Sequence, residues 1–474
     1  MSTSKTLVAG VDSSTQATKV VVCDAESGAV VREGRAAHPD GTETDPEIWW
    51  QAMHSATDGL LEDVAAIGIG AQQHGMVALD EHGAVIRPAL LWNDTRSAQA
   101  ATDLIAELGG EQEWAKAVGT VPVASLTVTK LRWMAEHEPE LSDRVAHVLL
   151  PHDWLTWRLT GGDPVTDRGD ASGTGYWSPS DGRYRPDLLT HAFGREPRTP
   201  TVLGPGEVAG ETPSGRVVSA GTGDNMGAAL GLDLAPGDVV VSIGTSGTVF
   251  ASSAAPTADS TGTIAGFADA TGKFLPLVCT LNAARVVSAT AEMLGVEIEE
   301  LDELASRAEP GAGGLALLPY LDGERTPNLP DASGSLVGLR RDNMTPENVA
   351  RAAVEGMLCG LAAGVDAVRE ADVPLRRVLL IGGAAQSRTV REAAPQVFGV
   401  PVTVPPAAEY VAVGAARQAA WALAGTAEPP AWPLRGATRL DVTDNDAGER
   451  IRQRHGAAHL MVHEDGPPID RDKE

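Results

Sequence analysis

The apolar positions of the chain fall into short strand-like runs and longer helical stripes, and one combination occurs twice. Leu7–Asp12 is an apolar run that ends in the turn Ser13-Ser14-Thr15 and resumes as Lys19–Asp24. Val239–Ile243 repeats the design, with the turn Gly244-Thr245-Ser246-Gly247-Thr248 and a continuation through Val249-Phe250-Ala251. Val- and Ile-rich runs bounded by Ser, Thr and Gly predict strands joined by tight turns. A third strand is expected at Val30–Ala36, linked by Glu26-Ser27-Gly28, and then a helix from Pro46 to Glu62 with Asp45 as N-cap. Strands follow at Val64–Ala71, Met76–Leu79 and Ala89–Trp92. An antiparallel start that passes into strand–helix alternation predicts a mixed sheet with helices on its faces.

Arg96 to about Ser214 reads as helices and loops that could wall a cleft. The strand Val217–Ala220 then delivers Gly221-Thr222-Gly223-Asp224-Asn225. In the second half, helices are predicted at Asn282–Leu294, Leu301–Arg307 and Pro346–Glu370, the last with Thr345 as N-cap and Pro346 at its first position. The strand Arg377–Ile381 leads into Gly382-Gly383-Ala384-Ala385-Gln386-Ser387, and a strand Val402–Val404 precedes an Ala-rich helix Val411–Ala424. Beyond Pro429 the pattern thins, and Glu464–Glu474 reads as a frayed acidic tail.

Length changes the picture first: 474 residues exceed one ordinary core, so two domains are expected. The pattern divides them as 1–238 and 239–430, with 431–474 as a partly flexible extension. The formal charge of −27 argues against nucleic acid and anionic membrane as partners and reads as a solvated acidic surface. It leaves room for a phosphorylated ligand, because a Gly-rich loop and Mg²⁺ neutralise phosphate locally. No apolar run reaches the roughly 18–20 residues of a membrane span, and the N-terminal residues lack the features of a signal peptide. Cys23, Cys279 and Cys359 lie scattered in apolar stretches and read as small buried hydrophobes, which fits a cytoplasmic protein.

The two strand–turn–strand units suit phosphate, since turns of Gly, Ser and Thr present N–H groups and hydroxyls. Asp12 ends a buried strand, where it could hold Mg²⁺ through water or cap the turn through Ser14 or Thr15. Asp224, in a Gly-Asp-Asn turn, could take a hydroxyl proton or simply shape the turn. Gly244 and Thr245 could meet phosphate oxygens or close a hairpin. Gly382-Gly383 would let a flat ligand approach the backbone, or make a tight strand-to-helix turn. Gln73 and His74 follow a buried strand and could bond sugar hydroxyls. Trp92-Asn93-Asp94-Thr95-Arg96 could line the same cleft or cap a helix, and Glu324-Arg325-Thr326-Pro327 reads as a structural salt-bridge corner.

Two gapped patterns tie these segments together. Ser125-x-Thr127-x-x-Lys130-Leu131-x-Trp133-Met134-x-Glu136-His137, and Gly334-x-Leu336-x-Gly338-Leu339 followed by Asn348-Val349-x-x-Ala352-Ala353-Val354-Glu355, resemble the two signatures of the FGGY family of carbohydrate kinases. The resemblance spans roughly residues 6–425. It implies an α/β fold of two ribonuclease H-like domains, as in the actin/Hsp70/sugar-kinase superfamily, flanking a central cleft in which ATP and sugar meet. Gly70-Ala71-Gln72-Gln73-His74-Gly75, Leu91-Trp92-Asn93-Asp94-x-Arg96 and Pro319-Tyr320-Leu321-x-Gly323-Glu324-Arg325-Thr326-Pro327 resemble the branch that phosphorylates D-xylulose.

The implied roles follow residue by residue. Gln73, His74, Asp224 and Asn225 would contact the sugar, with Asp224 as the base on the C5 hydroxyl. Asp12 would serve Mg²⁺ and phosphate; Ser14, Thr15, Gly244 and Thr245 the phosphates; Gly382, Gly383 and Ser387 the adenosine side. The partners implied are D-xylulose and ATP, with a homodimer as the assembly allowed. Ser14 and Gln16 stand where many members have Gly and a Ser or Thr, and Gln73 where some bacterial relatives have Met. The alternatives are a kinase for ribulose, gluconate, glycerol or a similar acceptor, an actin- or Hsp70-like ATPase switch without a sugar, and an inactive sugar-binding regulator.

Overall fold

The computed structural model describes residues 5–464; of the stretch read as a frayed tail, 465–474 lie outside the described residues. The chain forms two compact units, one of residues 1–236, 252–276 and 408–434, the other of 237–251, 277–407 and 435–474.

The first unit is built on a mixed sheet. Its strands run Val208–Glu211, Val217–Ser219, Val64–Ala71, Leu7–Ser13, Ala17–Asp24, Val30–Ala37, and Thr222–Gly223 pairs off the end of Val64–Ala71. The first hairpin is antiparallel, with Asp12 opposite Lys19, and Leu7–Ser13 is parallel to Val64–Ala71. Successive side chains of a strand point to opposite faces. Ala9, Val11, Val20, Val22, Ile67 and Ile69 therefore share one face, where they pack with Trp49, Met53 and Trp154. Those residues come from the helices Pro46–Thr57 and Pro151–Thr160. Asp45 caps the first of these as expected, accepting from Glu47 N at 2.9 Å. That helix stops at Thr57 rather than Glu62, because Asp58 leaves the helical region and Gly59 takes a φ of +68°. The strands expected at Met76–Leu79 and Ala89–Trp92 are trimmed to Val77–Leu79 and Ala89–Leu90.

The opposite face is covered by the helix Tyr410–Ala424, through Val8, Val21, Cys23 and Ala66 against Ala412, Ala416, Ala419 and Ala420. The sequence places this helix in the second domain, but it belongs to the first unit. The reason is close packing on glycine. A methyl group on Gly10 would stand 1.8 Å from the Ala412 carbonyl oxygen, and one on Gly68 would stand 2.2 Å from that of Ala415.

The second unit repeats the plan. Phe274–Thr280, Gly247–Ala251, Asp238–Ile243, Arg377–Ile381, Val402–Val404 and Thr438–Leu440 are neighbours in that order. Asp238–Ile243 is antiparallel to Gly247–Ala251 and parallel to Arg377–Ile381, as Leu7–Ser13 is to its two neighbours. The next pairing outward is parallel in both sheets, and the outermost one is antiparallel. One pattern of strand directions is thus built twice, although the edge strand Val208–Glu211 precedes its neighbour in the chain and Thr438–Leu440 follows its own. The helix Pro346–Glu370 starts as read, with Thr345 Oγ1 accepting from Asn348 N.

Two expectations change here. Cys23 and Cys359 are buried, but Cys279 is only half-buried. Glu324 is not a salt-bridge corner: it is 3% exposed and accepts from Leu281 N, Asn282 Nδ2 and Arg325 N at 2.6, 3.0 and 2.8 Å. Its charge is met by N–H dipoles in place of a cation.

Candidate active site

Alternation along Leu7–Ser13 places Asp12 on the face that carries Val8 and Gly10, where the helix Tyr410–Ala424 begins. Asp12 is 2% exposed. Its Oδ2 lies 3.5 Å from Lys19 Nζ, which also binds Glu409 Oε2 at 2.8 Å. Its Oδ1 is buried with no hydrogen-bond partner. Burial pushes the carboxyl up to about 6 against the pull of Lys19, with Glu409 adding to the rise. Lys19 is a residue that the motif reading missed, although the signal was present: a hairpin closed by so short a turn sets Asp12 and Lys19 face to face.

The turn after Asp12 is largely spoken for. Ser14 Oγ donates to the Ala17 carbonyl at 2.9 Å, and Thr15 Oγ1 accepts from Trp92 Nε1 at 2.9 Å. Asp94 folds onto its own segment, accepting from Arg96 N and Nε at 3.1 and 2.8 Å. Of the two readings of that cluster, local capping describes Asp94, while Trp92 reaches the candidate phosphate turn.

Gln73, Asp224 and Asn225 come together. Asn225 donates through its backbone N and through Nδ2 to Asp224 Oδ1, both at 2.7 Å, and Nδ2 also reaches Gln73 Oε1 at 3.1 Å. Asp224 opens the helix Asp224–Gly231, so the helix N-terminus favours its charged form. Burial nevertheless pushes its carboxyl up to about 7, helped by the nearby charges of Asp12 and Asp170 and opposed by the Asn225 bonds. A carboxylate with that affinity suits proton abstraction near neutral pH.

His74 takes a left-handed φ of 67°. Its Nδ1 lies 2.8 Å from the Gly173 carbonyl, which can only accept, so the proton sits on Nδ1. The ring lies 5.6 Å from Phe267, and a methyl on Gly173 would stand 2.6 Å from Nδ1. Thr127 Oγ1 donates to the His74 carbonyl at 3.0 Å. One element of the first signature thus has a physical task, fixing the backbone of His74. Lys130, fully buried, closes the same segment on the Ala124 and Ser125 carbonyls at 2.8 and 2.5 Å.

In the second unit Gly244 and Thr245 are exposed at the hairpin tip. Their carbonyls accept from Ala284 N at 2.9 Å and from Ala283 N at 3.3 Å. Gly382 has φ +93°, and a methyl there would stand 2.4 Å from the Ile243 carbonyl, so only glycine fits; Gly383 faces open space. Ser387 is committed to the fold: its hydroxyl donates to Asp302 Oδ1 at 2.6 Å and accepts from Val390 N at 3.1 Å as the cap of Arg388–Phe398.

A mixed sheet built twice, hydroxyl- and glycine-rich hairpin tips, and a carboxylate tuned to accept a proton beside side-chain amides define a phosphotransferase acting on an alcohol. Comparison with known proteins narrows the class. The chain belongs to the FGGY family of carbohydrate kinases, whose N-terminal domain matches residues 7–231 and whose C-terminal domain matches residues 239–423. It is 48% identical over 430 residues to a xylulose kinase of Streptomyces coelicolor and 50% identical over 431 residues to one of Streptomyces rubiginosus, with 87% of each chain covered in both cases. The crystal structure of a xylulose kinase from Bifidobacterium adolescentis superimposes with a TM-score of 0.88 at 44% identity, covering 96% of this chain and 99% of that one. The protein is an ATP-dependent carbohydrate kinase. No helix among the described residues is long and apolar enough to cross a membrane.

Proposed function

We propose that the protein transfers the γ-phosphoryl group of ATP to the C5 hydroxyl of D-xylulose, giving D-xylulose 5-phosphate and ADP. The observation that carries this reading is the Gln73–Asn225–Asp224 chain of hydrogen bonds, which ends on a carboxyl poised near neutrality. Relatives about half identical to this chain carry the name xylulose kinase, which supports the choice of ketose.

Asp224 takes the C5 hydroxyl proton as the oxygen bonds to phosphorus and the bond from phosphorus to the departing ADP oxygen breaks. Gln73, His74 and Asn225 orient the sugar so that this hydroxyl faces the base. Phosphate is assigned to the turns at Ser14–Thr15 and Gly244–Thr245, although the Ser14 N–H and hydroxyl are already bonded to the Ala17 carbonyl, and Gly382–Gly383 would let adenosine approach the backbone. Asp12 fits a role toward Mg²⁺, because its buried Oδ1 has no protein partner and the ion is commonly held through water by one or two carboxylates. When bound, Mg²⁺ would neutralise phosphate charge. Cys23 and Cys359, both buried free thiols, support the cytoplasm as the compartment.

A coupled ADP-release assay across D-xylulose, D-ribulose, gluconate and glycerol tests the reading, with D-xylulose expected to give the highest kcat/KM. Asp224→Asn is expected to lower kcat about 10²- to 10⁴-fold with ADP binding retained. Sugar-independent ATP hydrolysis, or near-normal turnover by the variant, overturns it.

A further inference from the structure

Behind the strand end that delivers Asp224 lies a cluster with no part in the scheme above: His152, Asp153, Asp167 and Asp170, none more than 2% exposed. His152 Nδ1 meets Asp170 Oδ2 at 2.5 Å, while Nε2 lies 3.3 Å from Asp153 Oδ1 and 3.9 Å from Asp167 Oδ1. Asp153 and Asp167 are tied to backbone, through Leu150 N at 2.8 Å and through Gly169 N and Asp170 N at 2.8 and 3.0 Å. Asp170 Oδ1 is buried without a hydrogen-bond partner.

His152, Asp153 and Asp170 are residue types that suit a metal ion. The geometry speaks against one. Ligand bonds of about 2 Å at a tetrahedral angle hold neighbouring donor atoms about 3.3 Å apart, and the 2.5 Å between His152 and Asp170 is a charge-assisted hydrogen bond instead. Burial works against a charged ring, yet Asp153, Asp170 and Asp167 together push His152 up to about 10. The surrounding acidic groups thus favour the charged ring, with its Nδ1 bonded to Asp170.

The couple touches the segment before the base at both ends. A methyl on Gly221, which has φ +84°, would stand 2.3 Å from His152 Cδ2. A methyl on Gly223 would stand 3.0 Å from Asp170 Oδ1 and 2.9 Å from Gln73 Cγ. On another side, Gln418 holds Gly221 by accepting from its N at 3.0 Å and donating to its carbonyl at 2.8 Å. The Gly-Thr-Gly segment therefore lies directly on an ion pair.

We propose that His152 and Asp170 are positioning residues for phosphoryl transfer: the ion pair is the shelf on which Gly221–Gly223 rests, and it aims Asp224 at the acceptor hydroxyl while keeping a negative charge beside it. This rests on the assignment of Asp224 as the base. The charged groups facing Asp224 are Asp12 and Asp170; those facing His152 are Asp153, Asp167 and Asp170.

The test is steady-state kinetics of Asp170→Asn, His152→Leu and His152→Asn, using the acceptor that the unsubstituted enzyme turns over fastest. Asp170→Asn keeps the volume and removes the charge. It is expected to lower kcat at least tenfold, to leave KM for ATP within twofold, and to move the acidic limb of the kcat profile to lower pH. His152→Leu should lower kcat similarly, and His152→Asn, which returns an N–H donor toward Asp170, should recover most of it. Should the leucine variant fail to fold, the two asparagine variants carry the test, since both retain a polar side chain of similar size. Unchanged kcat and an unmoved acidic limb in Asp170→Asn overturn the proposal. An Asp224→Asn enzyme that retains normal turnover instead removes the underlying base assignment, so the two failures are distinct.

Discussion

As the proposed base, Asp224 would act only while its carboxyl can receive a proton, and its surroundings place that threshold near neutral pH. Desolvation, Asp12 and Asp170 raise it to about 7. Since the ionised form is the base, kcat is expected to fall as pH drops through about 7, roughly tenfold per unit well below it. A pH–rate profile flat from 5 to 8 removes the assignment. On the proposed assignment Gln73 contacts the sugar and not the reacting hydroxyl, and its 3.1 Å bond to Asn225 ties it to the base. Gln73→Leu is expected to raise KM for D-xylulose by about three- to tenfold with a smaller change in kcat, the size of one neutral hydrogen bond. Gln73, Asp224 and Asn225, which the structure brings into one hydrogen-bonded cluster, drew notice in the sequence because each sits at a strand end marked by glycine. His152 and Asp170 did not, because ordinary helix residues acquire meaning only when the middle of the chain folds behind Gly221–Gly223. Ser387 misled for the opposite reason: a hydroxyl after a Gly-rich turn looks available, but the helix start consumes it.

Elements in this fold are joined by what they omit. The helix Tyr410–Ala424 reaches the sheet because Gly10 and Gly68 carry no side chain, and Gly414 does the same toward Gly227, where a methyl would stand 1.8 Å from the carbonyl oxygen. Its helical form was readable from Ala-rich periodicity, but its partner was not, since hydrophobic period says which face is buried and not against what. The strand-interior glycines were the unused clue. Gly10→Ala is expected to destabilise the protein by about 1–3 kcal/mol or more, read by chemical denaturation, because the methyl meets backbone that cannot swing aside. Gly456→Ala is the contrast. It lies within the helix Asn445–His459 with open space around it, and should stabilise by about 0.5–1 kcal/mol. Equal effects of the two substitutions would mean that close packing is not what fixes this helix.

Across the whole molecule, duplication is the feature that reads most directly from sequence to structure. Two strand–turn–strand units predicted two related sheets, and the central pairings, one antiparallel and one parallel, agree in both. Each unit has its own core, and the candidate sugar contacts Gln73, His74, Asp224 and Asn225 all belong to one of them. Gly244, Thr245, Gly382 and Gly383 belong to the other. On the proposed assignment, the sugar is therefore recognised by groups of the first unit alone. D-xylulose alone should raise the thermal unfolding temperature by a few degrees, because a ligand at a hundred times its Kd adds about 2.7 kcal/mol to whatever it binds. Asp224→Asn should keep that increase while losing turnover, since the amide can still bond a hydroxyl but cannot take its proton. Asn225→Ala should lose both, because it removes the link between the base and Gln73. Stabilisation by D-xylulose that appears only with ADP present would show that these four residues do not by themselves make the sugar site.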